Sequence, residues 1–172
     1  LLAALGASRA SAADDALERA MRAELARVKT SLSAVGYAAP YRAALNVWEL
    51  DDWDSWSAMG AARSEARMTQ RVALADVRVG GPELDNHPAA PRGDFVGTPV
   101  AFGEDEFSLR HSLWRIFDAA YKQAAADFLR KQARLVSQGP ADYDTDDLAP
   151  EPAVQRVRAR PASPWDLDRM RR

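Results

Sequence analysis

Four groups of side chains in this sequence have the types and spacing that chemistry requires. Asp85, Asn86, His87 and Asp94 gather oxygen and nitrogen ligands in one loop, and loops carried on rigid scaffolds often hold functional groups. A metal site or a small hydrolase built on Asp85, His87 and Asp94 is one reading. Turn chemistry along Pro82-Glu83-Leu84-Asp85-Asn86 is the plainer one, since no i, i+4 spacing sets two of these ligands side by side. Asp142, Asp144 and Asp146 occupy the first, third and fifth positions of a calcium-loop pattern. The pattern then fails, with Asp147 where glycine is needed and Ala153 where a bidentate glutamate is needed, so the stretch reads as a solvated acidic linker. Trp48, Trp53, Trp56 and Trp114 offer flat apolar faces on which a sugar or a base could stack. Trp114 lies three residues before Phe117 and seven before Tyr121, a helical spacing that points to core, and core or interface is the reading favoured for most of the four. His111 has no acid that the sequence fixes beside it and reads as a surface or partly buried helix residue.

Composition narrows the field. The 172 residues carry 23 basic and 25 acidic side chains, a formal charge of −2 that argues against a nucleic-acid-coating protein or a membrane-surface polycation. With no cysteine there is no disulfide, no Cys-ligated zinc, no iron–sulfur cluster and no thiol nucleophile. The sequence contains no Gly-rich phosphate loop with its lysine, no Gly-x-Ser-x-Gly turn and no His-Glu-x-x-His helix. Hydrophobic residues make up 47% of the chain, but 35 residues are alanine, so a core must rest on a limited set of Leu, Val, Phe and Trp positions.

The elements that would position these groups follow from periodicity. Leu17, Met21, Leu25, Val28, Leu32 and Val35 recur at spacings of four or three, predicting a helix over 14–35 that stops at Gly36. Tyr41–Leu50, Ser55–Ser64 and Thr69–Val79 alternate as half-buried strands do, with Asp51-Asp52-Trp53-Asp54 as the turn between the first two. Gly80–Gly103 is then a long loop with five glycines and four prolines, which a short strand within Asp94–Phe102 would shorten. Leu109, Leu113, Ile116, Phe117, Ala120, Ala124 and Phe128 form the stripe of a second helix from about Asp105 to Ser137, ended by Gly139-Pro140. The expectation is an α+β fold: a long helix, a three-stranded antiparallel meander, a long loop, and a second long helix packed on the sheet.

The two ends read differently from this body, which occupies residues 13–140. Residues 1–12 are apolar or small apart from Arg9, ending in Ala10-Ser11-Ala12, and read as the remnant of a secretory signal peptide; that places the mature protein in the periplasm or outside the cell. Residues 141–162 read as a linker. Ser163-Pro164-Trp165-Asp166 has an N-cap residue, proline at the first helical position and an acidic first turn, so 163–172 reads as the start of a second, truncated domain.

Ala75-Asp76-Val77-Arg78-Val79-Gly80 followed by Leu84-Asp85-Asn86 resembles the amino-terminal domain of the TldD/PmbA metallopeptidase-related proteins, especially exported bacterial members. Leu113-Trp114, Asp118-Ala119-Ala120-Tyr121-Lys122-Gln123-Ala124, Lys131-Gln132-Ala133 and Pro150-Glu151-Pro152 extend the resemblance over most of residues 15–172. It implies a two-domain parent whose carboxy-terminal half builds the peptidase site, in active members through a His-Glu-x-x-x-His zinc motif that this chain does not contain. On that resemblance no catalytic, cofactor or metal residue is assigned here, and zinc belongs to the missing carboxy-terminal domain. The expected function is a non-catalytic scaffold that walls a peptide cleft and makes a subunit contact in a homo- or hetero-oligomer, without nucleic acid or membrane. The alternative is an independent periplasmic peptide- or glycan-binding module.

Overall fold

The computed structural model describes residues 10–87, 98–103 and 105–138. Within them the fold is α+β: helix α1 (Ala10–Ser31), strands β1 (Pro40–Ala58), β2 (Ala61–Val79) and β3 (Thr98–Pro99), and helix α2 (Glu106–Gln138). The three strands form one antiparallel sheet in the order β1-β2-β3, a meander as expected, but of other strands: the expected middle strand Ser55–Ser64 straddles the β1–β2 reversal, and Thr69–Val79 belongs to the second strand rather than the third. Helix α2 opens at an Asp105 N-cap, whose Oδ2 accepts the Ser108 backbone N–H at 3.0 Å and also the Ser108 hydroxyl. Those bonds hold the Asp105 carboxyl below the usual carboxylate range.

The strand boundaries differ from the sequence expectation. The Asp51-Asp52-Trp53-Asp54 cluster is not a turn but the middle of β1, and the reversal comes at Met59-Gly60, both with positive φ (53° and 76°). A two-residue turn of that kind matches the twist of paired strands. The acidic cluster stays extended because β2 supplies partners for it. Arg67 Nε donates to Asp51 Oδ1 at 2.9 Å, and Trp53 Nε1 donates to Glu65 Oε1 at 2.8 Å. The third strand is the short one anticipated within Asp94–Phe102, pairing Thr98 with Ala73 and Pro99 with Val72. Helix α1 ends at Ser31, four residues before Val35, so Val35 is fully exposed and leaves the apolar stripe. Asp94, most of the signal-peptide stretch, the linker at 141–162 and residues 163–172 lie outside the described residues.

Both helices cover one face of the sheet. Ala43, Leu45 and Val47 of β1 and Ala73, Ala75, Val77 and Val79 of β2 pack against α1 and α2, with Ala16, Ala20, Val28, Leu109, Leu113 and Phe117 closing the layer. Contacts between the helices keep one offset along their length: Arg19 reaches Glu106, Glu24 reaches Arg110, Arg27 lies on Trp114, and the Ala34 N–H is bonded by the Tyr121 hydroxyl. The two helices therefore run parallel. Beyond Glu49 and Arg71 the hairpin leaves the layer as a free two-stranded ribbon, roughly 25–30 Å long at about 3.4 Å per residue.

A collar closes the ribbon's base. Arg71, buried, donates through Nε to Glu49 Oε1 at 2.9 Å and through Nη1 to the Ala101 carbonyl at 3.0 Å, and it lies over the Phe102 ring. At the opposite end of β2, Gly80 (φ +100°) sits where a Cβ would collide with the Leu84 carbonyl oxygen and lie 2.7 Å from Phe128 Cε2. Gly80→Ala is expected to destabilise the fold by roughly 2–4 kcal/mol, combining left-handed strain with overpacking. Gly36→Ala, with nothing within 4 Å of its Cβ, should cost only about 1–2 kcal/mol. Urea denaturation of the two variants checks the contrast.

Candidate functional site

The loop that carries the sequence's strongest ligand set is a lock. Asp85 is fully buried; its Oδ2 accepts from Tyr41 Oη at 2.9 Å and Arg78 Nη1 at 3.1 Å, and its Oδ1 from the His87 backbone N–H at 2.5 Å. Tyr41 reaches it because β1 carries an irregularity there: Pro40 faces Val79 and Arg42 faces Arg78, leaving Tyr41 as the extra residue. Burial, then the hydrogen bond to Asp85, push the Tyr41 phenol up to about 12. Asn86 extends the strand edge, accepting the Val79 N–H at 2.9 Å and donating to the Val77 carbonyl at 3.3 Å. Lys131 of α2 donates to the His87 carbonyl at 3.2 Å. Thus Asp85 and Asn86 spend their polar atoms on the backbone and on neighbouring strands, while His87, exposed, contributes only main-chain atoms to these bonds.

The tryptophans do not converge. Trp48 and Trp56 share the sheet face turned away from the helices, Trp53 projects from the other face of the ribbon, and Trp114 is on α2. Trp48, Leu50, Met68 and Trp56 are all exposed on that outer face, and Val72 and Leu74 continue it, half-buried, across the body of the sheet. The opposite face of the ribbon is polar, laid out as the Glu49–Arg71, Asp51–Arg67 and Glu65–Trp53 pairs. The outer face of the ribbon thus interleaves these apolar side chains with Asp52, Asp54 and Gln70, and it is uncovered among the described residues.

Two clefts flank α2. One, of about 590 Å³, lies between β2 and α2, lined by alanines 73, 75, 119, 120 and 124 together with Asp76, His111, Arg115 and Asp127. It exists because alanine leaves unfilled the volume that a larger side chain would take. The second, of about 550 Å³, lies between α1 and α2 and is lined by Glu24, Arg27, Glu106, Phe107, Arg110, His111 and Trp114. His111 borders both clefts, and Ser112 Oγ is turned back to the Ser108 carbonyl at 2.9 Å, so the two do not form a nucleophile–base pair.

The second cleft holds the residues that sequence reasoning missed. Glu24 is fully buried; its Oε1 accepts from Arg110 Nε at 2.7 Å, while Oε2 lies 3.5 Å from Arg27 Nη1 and accepts no hydrogen bond. The hydrogen bond to Glu24 and the attraction of its charge raise the Arg110 guanidinium above its ordinary value. The Arg27 guanidinium carbon stands 3.8 Å above the centre of the Trp114 ring. The signal for Glu24 was present: it follows Ala16 and Ala20 and precedes Val28 at steps of four, a charged residue inside the apolar stripe.

Among the described residues no group of three or more His, Asp or Glu side chains is placed to hold a metal ion, and no helix is long and apolar enough to cross a membrane. Asp142, Asp144 and Asp146 fall outside the described residues. No protein-family model, no curated protein and no solved structure matches the chain.

Two outcomes test the lock. Asp85→Asn removes the buried counter-charge of Arg78, which keeps its pair with Asp76 at 3.0 Å, and is expected to cost about 1.5–3 kcal/mol in chemical denaturation. Because the Tyr41 pKa is raised in the folded state, its contribution is complete below pH 10 and is lost as pH climbs from about 10 to about 12. Tyr41→Phe should flatten that alkaline fall in a plot of unfolding free energy against pH.

Proposed function

We propose that this chain is the non-catalytic amino-terminal scaffold of an exported TldD/PmbA-like protein, walling a peptide cleft and making a subunit contact. One observation carries the reading: the residues of the resemblance are spent on architecture. Val77, Val79 and Gly80 end β2 against Phe117, Tyr121 and Phe128 of α2, and Asp85 and Asn86 lock the following loop onto that strand. Lys131, in the last quoted stretch of α2, ties the same loop through the His87 carbonyl. Motif residues that pin one another by buried contacts make a scaffold's signature rather than a reaction centre's.

On this reading His87 and His111 do not form a zinc-binding pair. His87 lies beside Lys131 while His111 is twenty positions earlier on the same helix, which at 1.5 Å per residue separates them by roughly 30 Å. Chemistry of that kind would belong to the carboxy-terminal half of the parent. The subunit contact falls to the outer face of the ribbon, where Trp48, Leu50, Trp56 and Met68 are exposed. Burying each of them against a partner subunit is worth roughly 1.5–3 kcal/mol. The alternative of a glycan- or peptide-stacking platform is less well supported, because Trp53 faces away from Trp48 and Trp56.

Sequencing the transcript through codon 172 tests the two-domain parent: an in-frame continuation with a second domain supports it, and an immediate stop codon overturns it. Trp48→Ser combined with Trp56→Ser is expected to shift the intact parent to a smaller species in sedimentation velocity, with its circular dichroism unchanged. An unaltered sedimentation profile removes the ribbon from the contact.

A further inference from the structure

We propose that the cleft between α1 and α2 is a binding site for a peptide-borne carboxylate, gripped by Arg27 and Arg110. The assignment stands on this cleft alone and does not require a peptidase-related parent.

Helix pairing by itself calls for one arginine opposite Glu24, and Arg110 supplies it at 2.7 Å. Arg27 is a second cation at the same place, 3.5 Å from Glu24 Oε2, and its guanidinium donates no hydrogen bond among the described residues. Glu106 lines the same cleft, acts on Arg110 through its charge and faces Arg19 at 3.9 Å, so three guanidiniums, those of Arg19, Arg27 and Arg110, stand against the two carboxylates of Glu24 and Glu106, one positive charge in excess. Arg27 and Arg110 are both close to half exposed, at 45% and 41% of their side chains, so their remaining N–H groups are open to the cleft. The Arg27 guanidinium sits over the Trp114 ring with Nη1 toward Glu24, and its remaining N–H groups are those a planar carboxylate can engage.

The same arrangement disfavours other ligands. A cation finds the Trp114 face already taken by Arg27 and Glu24 Oε2 buried beneath it. A dianion such as phosphate brings two negative charges beside the Glu24 carboxylate, against a single positive excess. The walls are aromatic: Trp114 is half-buried and Phe107, 79% exposed, stands at the mouth. A volume of about 550 Å³ suits a short peptide end with one apolar side chain against these rings.

Isothermal titration calorimetry on the full chain tests the assignment with three N-acetylated tripeptides: Ala-Leu-Phe with a free C-terminus, its C-terminal amide, and Ala-Glu-Phe amide. Inorganic phosphate is the fourth probe. The expected result is binding of at least one carboxylate-bearing peptide about tenfold or more tighter than Ala-Leu-Phe amide. Preference for the free terminus assigns a peptide C-terminus as the source; preference for Ala-Glu-Phe amide assigns an acidic side chain. Arg27→Gln should weaken that binding by about tenfold or more in a protein whose circular dichroism shows it still folded. Arg27→Lys, which keeps the charge but loses the guanidinium, gives the same loss if Arg27→Gln does not fold. Equal affinity for acid and amide, phosphate binding as tight as the peptide, no binding of any probe, or full affinity in the folded Arg27 variant overturns the proposal.

Discussion

Two helices that lie side by side and run in the same direction impose the rest of this architecture. A chain leaving the end of α1 must travel back the length of the layer before α2 can begin, and it does so twice, once along β1 and once between the end of β2 and β3. The sheet is the product of that return path. The register between the helices, Arg19 to Glu106, Glu24 to Arg110, Arg27 to Trp114 and Ala34 to Tyr121, keeps the layer from sliding. Polar contacts share this work with the packing of Leu109, Leu113, Phe117 and Tyr121, because Ala16 and Ala20 at the centre of the α1 face bury little area.

Glu24, Arg71 and Asp85 are each buried at a junction between elements: helix to helix, ribbon to body, and strand end to loop. Each is paired, as a buried charge must be. Such pairs contribute little net stability compared with well-packed apolar groups, but they penalise every arrangement that separates the partners. In a layer whose small side chains would tolerate several registers, that penalty selects one.

Much of the fold was legible from residue spacing and rather less of the candidate sites. Both helices announced themselves, since Leu109, Leu113, Ile116 and Phe117 and the Leu17–Leu32 series repeat at the helical period and meet the sheet. The stripe of α1 is centred on Ala16, Ala20, Glu24 and Val28, and the larger residues Leu17, Met21 and Leu25 lie at its margin. A reading weighted by side-chain size misses the small residues at the centre and the acid among them. The hairpin misled for a different reason. Three aspartates and a tryptophan at 51–54 look like a turn in one dimension, and only partners sixteen and more positions from Asp51, Arg67 and Thr69, make them a strand. Asp85 and Asn86 were noticed as ligands, but their use depends on Tyr41 and Arg78 arriving from other strands, which spacing cannot reveal.

The sheet order leaves β1 at the margin for all nineteen of its residues, with one side of its backbone unpaired among the described residues. Such a margin is a template for fibril growth unless something deters it. Glu49, Asp51, Asp52 and Asp54 crowd this strand with like charge, so two copies brought edge to edge in register repel one another along the very stretch that is most open. Neutralising that acidic run would expose a long extended segment to self-templating, and protonation in a strongly acidic medium would do so without any change of sequence.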